Sequence, residues 1–281
     1  MRRAFCVAAV LFCYTSAAQS ASPDAPLPDA KQMKERLLKS LQRSEDALEN
    51  YSCTVREQND ELNSDESVKK HQSSVKEQFF VNRIQVEHTL ERNGKPLSVD
   101  EAKKEQERVD KEVRRFSNKA QAEKAEKHDE RQADLFLRAL QITNGRREQR
   151  EGRSTLDYDL SGDPHFRPHK LEERFAQALT GKIALDEESE TPVDLRFETK
   201  QDVKIGAGLL ANLHKGFWLH LTQQRQPDGV WIMRELQGSG DARAALFLHA
   251  RFRFQQQLEQ CHLFSVDTQQ KVHGPDTQVK P

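Results

Sequence analysis

The sequence predicts an α+β fold in which a curved antiparallel sheet wraps over helices that cover its apolar face. Three observations predict it. The second half of the chain alternates apolar and polar residues over consecutive short runs, as one-sided strands do. No helix of crossover length separates those runs, so neighbouring strands are expected to run antiparallel. Two stretches with helical apolar spacing, at 29–50 and 99–142, are left to cover the sheet.

Taken in order, Arg2 and Arg3, an apolar run from Ala4 to Tyr14, and the small residues Ser16, Ala17 and Ala18 read as a secretory leader cleaved after Ala18. That places the mature chain in the periplasm or outside the cell. The apolar run is too short for a hydrocarbon core of about 30 Å, and no later run is longer, so no transmembrane segment is expected. A lipid anchor at Cys13 would need a small residue where Phe12 stands. A Pro-rich lead (19–28) follows. Asp29 then caps a helix whose apolar positions are Met33, Leu37, Leu41 and Leu48.

Strands are expected over Tyr51–Gln58, Val75–Asn82 and Ile84–Leu90, with a polar turn from Asn59 to Ser67. The turn Asn93-Gly94-Lys95-Pro96 stops them, and Ser98 with Glu101 forms a capping box. From Glu101 to Gln132, 19 of 32 residues are charged, with Val109, Val113, Phe116 and Ala120 on one face. This predicts a long, mostly exposed helix laced with ion pairs, breaking or bending near His128 ahead of the apolar stripe Ala133, Phe136, Leu137 and Leu140. Alternation then marks strands at Leu156–Leu160, Ile183–Leu185, Val193–Phe197, Phe217–Leu221, Val230–Ile232 and Leu246–Phe254, with a short helix at Glu172–Thr180 and a Gly-rich link at Gly206–Gly216. One domain is expected over 29–268, with 269–281 a disordered tail.

Composition excludes other classes. Forty-four basic against 45 acidic side chains give a net charge of −1, without the basic excess that holds nucleic acid. Cys6 and Cys13 leave with the leader, so Cys53 and Cys261 remain as an even pair in an oxidising compartment. They are open to a disulfide or to two unpaired thiols near opposite chain ends.

No phosphate-binding loop, nucleophile elbow or His-Glu-x-x-His stands in the chain. His165 and His169 are four apart, but Pro164 and Pro168 deny them the regular helix that would aim both at one metal ion. Cys261 and His262 are neighbours in a strand and point to opposite faces, so they cannot share a proton. Asp157 and Asp159 read as the solvent side of a strand. No enzyme activity, metal or cofactor is therefore expected. What remains is the apolar surface itself. Val193, Leu195, Phe197, Phe217, Leu219, Leu221, Leu246, Leu248, Phe252 and Phe254 would line the concave side, either as packed core or as the wall of a cavity for an acyl chain.

The chain also carries Asn50-Tyr51-Ser52-Cys53-Thr54-Val55-Arg56-Glu57, Asn93-Gly94-Lys95-Pro96-Leu97-Ser98, Leu179-Thr180-Gly181-Lys182-Ile183-Ala184-Leu185-Asp186, Ile205-Gly206-Ala207-Gly208-Leu209-Leu210 and Asp228-Gly229-Val230-Trp231. With these segments, the layout of leader, N-terminal helix, hairpin, helical insertion and one-sided strands resembles the periplasmic LolA/LolB-like carriers of lipoproteins and lipids. The resemblance implies an unclosed half-barrel whose hollow, covered by helices, receives the acyl chain of a lipid or lipoprotein, without enzyme activity or cofactor. The charged helix from Glu101 is an insertion that the compact carriers lack. The other expectation is a solid-core scaffold of the cell envelope that recognises a protein partner through that helix.

Overall fold

The computed structural model describes residues 26–205, 211–244 and 248–263. The leader, the stretch 206–210, Leu246 and the tail lie outside them, and of Leu41 and Leu248 only the backbone is described. The elements are α1 (Ala30–Leu48), β1 (Tyr51–Leu62), β2 (Val68–Val81), β3 (Ile84–Arg92), β4 (Lys95–Pro96), α2 (Val99–Ser117), α3 (Lys119–Arg138), β5 (Leu140–Arg150), β6 (Arg153–Gly162), α4 (Leu171–Ala178), β7 (Leu179–Asp186), β8 (Pro192–Thr199), β9 (Val203–Ile205), β10 (Ala211–Leu213), β11 (Trp218–Arg225), β12 (Trp231–Ala244) and β13 (Leu248–Leu263).

The strands form one sheet in the order β4-β3-β2-β1-β13-β12-β11-β8-β7-β6-β5, with β9 and β10 attached beside β12. Every pairing is antiparallel, and β5 does not meet β4 or β3, so the barrel is left unclosed. This is the expected α+β half-barrel. Its first and last long strands meet in the middle, where β1 pairs with β13 from Tyr51↔Leu263 to Leu62↔Arg251.

One face of the sheet, the inner face, carries α1, α3 and α4. Asp29 caps α1 through the Gln32 amide at 2.8 Å, and the helix sets buried Met33 and Leu37 onto Ile142, Leu156, Tyr158, Leu160, Ile183 and Leu185. Each such side chain contributes about 1.5–3 kcal/mol on burial. Leu48, at the other end of α1, packs on Tyr51, Cys53, Val55, Ile232 and Leu258. The helix therefore spans the face from β6 to β1.

The charged segment departs from expectation in three ways. It is two helices, broken at Asn118 rather than near His128, because Asn118 turns to an extended ψ of 108° and caps α3 through the amides of Ala120 and Gln121. The carbonyl of Phe116, at the end of α2, accepts from the Asn82 side chain at 2.7 Å. Secondly, the helical stripe stops at Arg138, and Leu140 opens β5. Arg146, Arg147, Glu148 and Arg150 swamp the alternation of that strand, as befits a charged edge strand.

Thirdly, α2 does not cover the inner face. Cys53 pairs with Gln78, so Phe79, Val81 and Val86 face the other way, and it is there that Val109 and Phe116 pack. The same helix also closes the free edge of β3. Glu105 accepts the Thr89 amide at 2.8 Å, and the Arg108 guanidinium donates to the Glu87 carbonyl. Unpaired main-chain groups at an edge invite association with another strand, and α2 removes two of them.

Candidate functional site

Cross-strand register decides which apolar residues share a surface, because directly opposed residues point to the same side. Leu195 lies opposite Leu221, which lies opposite Leu236, which lies opposite Gln256. In the next inward-facing row, Phe197 meets Leu219, Gly238 and Phe254 in turn, and beyond it Gly240 meets Phe252. Val193 is buried where the register of β7 and β8 shifts, so alternation does not assign it a face. The sheet thus brings Leu195, Phe197, Leu219, Leu221, Phe252 and Phe254 onto one continuous inner face across β8, β11, β12 and β13. Leu236, Gly238 and Gly240 complete it, and none of these three was expected; β12 runs far past Ile232 because glycines interrupt its alternation.

Part of this face is filled. The rings of Phe136, Phe175, Phe197, Phe217, Phe252 and Phe254 form a chain with centroids 5.9 to 6.4 Å apart. Phe175 comes from α4 and touches both Phe197 and Phe217, and Phe217 is buried. The rings of this chain settle onto the glycines of β12. A Cβ at Gly238 would stand 2.6 Å from the Phe254 ring, and one at Gly240 would stand 2.8 Å from Phe217. The aromatic members of the expected lining therefore pack on one another, while Leu219, Leu221, Leu236, Phe252 and Phe254 remain half-buried.

The space left on the inner face lies next to this surface rather than over it. A hollow of about 430 Å³ opens between the end of α1, the middle of α3 and strands β2, β12 and β13. Its apolar walls are Leu48, Phe80, Ile84, Ile232, Met233 and Leu258; among the described residues none of the expected lining belongs to them. Gln256, on its wall, is the direct partner of Leu236, so hollow and apolar face adjoin. Its rim is polar. Arg83 stands at positive φ in the two-residue turn Asn82-Arg83 and pairs with Asp46 of α1 at 2.8 Å and Glu126 of α3 at 3.0 Å. Asp129 joins Glu126 there and makes the rim acidic. Alternation in β2 could have found Phe80; no local signal points to the rim, which three separate segments build.

Cys53 and Cys261 form a disulfide between β1 and β13, with Cα atoms 4.1 Å apart. It sits where Gln260 adopts a φ of 50° and the register shifts between Ser52 and Thr54. Cys261 is thereby withdrawn as a nucleophile. His165 and His169 lie outside helices, and among the described residues no group of His, Cys, Asp and Glu could hold a metal ion. Asp157 does not face solvent as expected. It is buried, accepts from Thr155 at 2.9 Å and pairs with Arg150, whereas Asp159 is held by Asn144 at 2.9 Å. The Asp157 carboxylate is absorbed by structure, whereas Oδ1 of Asp159 is buried without a hydrogen-bond partner beside a groove on the outer side of the sheet. No described helix is long and apolar enough to cross a membrane. Compared with protein-family models and with curated proteins, the chain matches none.

Proposed function

We propose that the protein is a non-enzymatic binder of lipid or lipidated protein that works in the periplasm after loss of its leader, burying acyl chain in the half-barrel in the manner of the LolA/LolB-like carriers it resembles. The observation that carries the reading is the hollow between α1, α3 and the inner face. About 430 Å³, walled by Phe80, Ile232, Met233 and Leu258 and adjoining the half-buried Leu219–Leu221–Leu236 surface, lies within the usual range for a ligand site. Burying about ten methylenes contributes roughly 8 kcal/mol, which before the costs of association corresponds to a micromolar Kd.

The phenylalanine chain favours a second reading, a solid-core envelope scaffold, since α4 already fills one end of the face. The exposed charges of α2 would then meet a protein partner. A native mass spectrum of protein purified from a periplasm without detergent, followed by uptake of a fluorescent fatty acid, separates the two. Binding that falls more than tenfold in Phe80→Lys, with circular dichroism unchanged, supports the carrier. A ligand-free mass and no uptake by folded protein would move the conclusion to the scaffold.

A further inference from the structure

The face of the sheet turned away from α1, α3 and α4 carries a second surface, and we propose that it binds a neutral oligosaccharide with Trp218 as the stacking platform. Between β7, β8 and β11 lies a groove of about 700 Å³ whose side chains come from Lys182, Arg196, Glu198, Trp218 and His220, all on that outer face by register. A smaller hollow of about 210 Å³ lies on the other flank of Trp218, walled by Gln58, Asp60, Gln237, Arg253 and Gln255. The indole is thus a ridge between two polar hollows. It is 38% exposed, an unusual state for so large an apolar side chain in the interior of a sheet.

The chemistry of the surroundings selects the occupant. Most charges there are matched within the surface, Lys182 being the cation of the groove with no ion pair among the described residues. Arg196 is held by Asp194 at 3.1 Å, Lys200 by Glu198, and Arg253 by Asp60 at 2.7 Å, with His71 on the same carboxylate at 2.7 Å. Such a balance offers little to a phosphate chain or an anionic surface. A peptide added as a strand is excluded, because β7, β8, β11, β12 and β13 already have neighbours on both sides and their main-chain groups are spent. What the surface does present is planar amides and carboxylates beside an aromatic face. Gln58 and the Trp218 indole N–H have no hydrogen-bond partner among the described residues, and Gln237 meets His220 only at 3.5 Å. A pyranose is the complementary object: an apolar C–H face that stacks on an indole, rimmed by hydroxyls that both donate and accept. Two hollows flanking one platform fit a chain of several sugars rather than a monosaccharide.

The test uses the full mature chain carrying Trp231→Phe, which leaves Trp218 as its sole tryptophan. Fluorescence is followed while cellohexaose, maltohexaose or chitohexaose is added to about 10 mM, enough to reveal millimolar binding. Saturable change with at least one, a loss of affinity of tenfold or more in Trp218→Ala measured by calorimetry, and partial recovery in Trp218→Phe support the proposal. Absence of saturation with all three would overturn it, as would calorimetric binding that Trp218→Ala leaves intact. A dimer seen in sedimentation and abolished by Trp218→Ala would overturn it in favour of a protein occupant. Fatty-acid uptake is unaffected by Trp218→Ala under this proposal, because the two surfaces lie on opposite faces of the sheet.

Discussion

Removing the disulfide tests how the sheet is held at its centre. Cys53 and Cys261 are separated by 208 residues, so the bridge constrains most of the described chain when it unfolds. The chain-entropy model assigns a loop of that length about 5 kcal/mol at 25 °C. Total stability of a domain is about 5–15 kcal/mol, so this one bond is worth a third or more of it. In a double Cys53→Ala, Cys261→Ala variant, the core of Tyr51, Val55, Ile232 and Leu258 stays in place, and the β1–β13 pairing needs no covalent help. The variant is therefore expected to fold, with its thermal midpoint lowered by roughly 10–20 °C at about 2–4 °C per kcal/mol. Guanidinium unfolding at equilibrium, on the oxidised parent and the variant, measures the difference directly. A loss below about 1 kcal/mol at equal m-value would refute the reasoning and imply that the unfolded state already keeps the two strands together.

Three further expectations concern single side chains. Glu105→Gln weakens the cover of the β3 edge, at a cost of about 1.5–3 kcal/mol for charge-assisted bonds to Arg108 and the Thr89 amide. The Arg108 guanidinium, helped by that amide, holds the Glu105 carboxyl down to about 2, so its contribution is complete above the unfolded value of 4.5 and is lost as pH falls toward 2. Urea midpoints measured from pH 6 to pH 2 should therefore fall less steeply in Glu105→Gln than in the parent, and parallel curves would contradict the assignment. Gly181→Ala places a Cβ 2.1 Å from the Arg196 carbonyl on the neighbouring strand, which must then move; a loss of about 1–3 kcal/mol in chemical denaturation is expected, and neutrality would show that β7 and β8 approach less closely. Burial and the 2.6 Å hydrogen bond to Asp228 push the Tyr51 phenol up to about 12, and burial also raises Tyr158, so spectrophotometric titration should show both ionising late, with a last step near 12 that Tyr51→Phe removes.

Much of the architecture was legible because each signal was local. Asp29 and the Ser98–Glu101 box mark helix starts through their own side-chain bonds to nearby amides, and both caps form. Strict alternation marks β6, β7, β8 and β11, since one face of each must be buried. Failures occurred where tertiary contacts outweigh pattern. Asn118 breaks the charged helix while Asn82, distant in sequence, bonds its end, and no residue near 118 announces that partner. Charged β5 is a strand because β6 pairs with it. Glycines hide the second half of β12, although Gly238 and Gly240 are what let the phenylalanine rings lie down on the sheet.

By itself, then, the order of residues determined fold class, the antiparallel sense of the sheet, and part of the apolar face, because backbone periodicity settles which side chains can turn inward wherever glycines do not interrupt it. Only the tertiary structure decided how much of that face stays open. Whether Phe175 drops onto Phe197, whether α1 and α3 leave a hollow at Phe80 and Ile232, and whether Trp218 is left uncovered on the opposite face all depend on where separate segments meet. Those meetings are set by packing of distant parts of the chain, which no local period encodes.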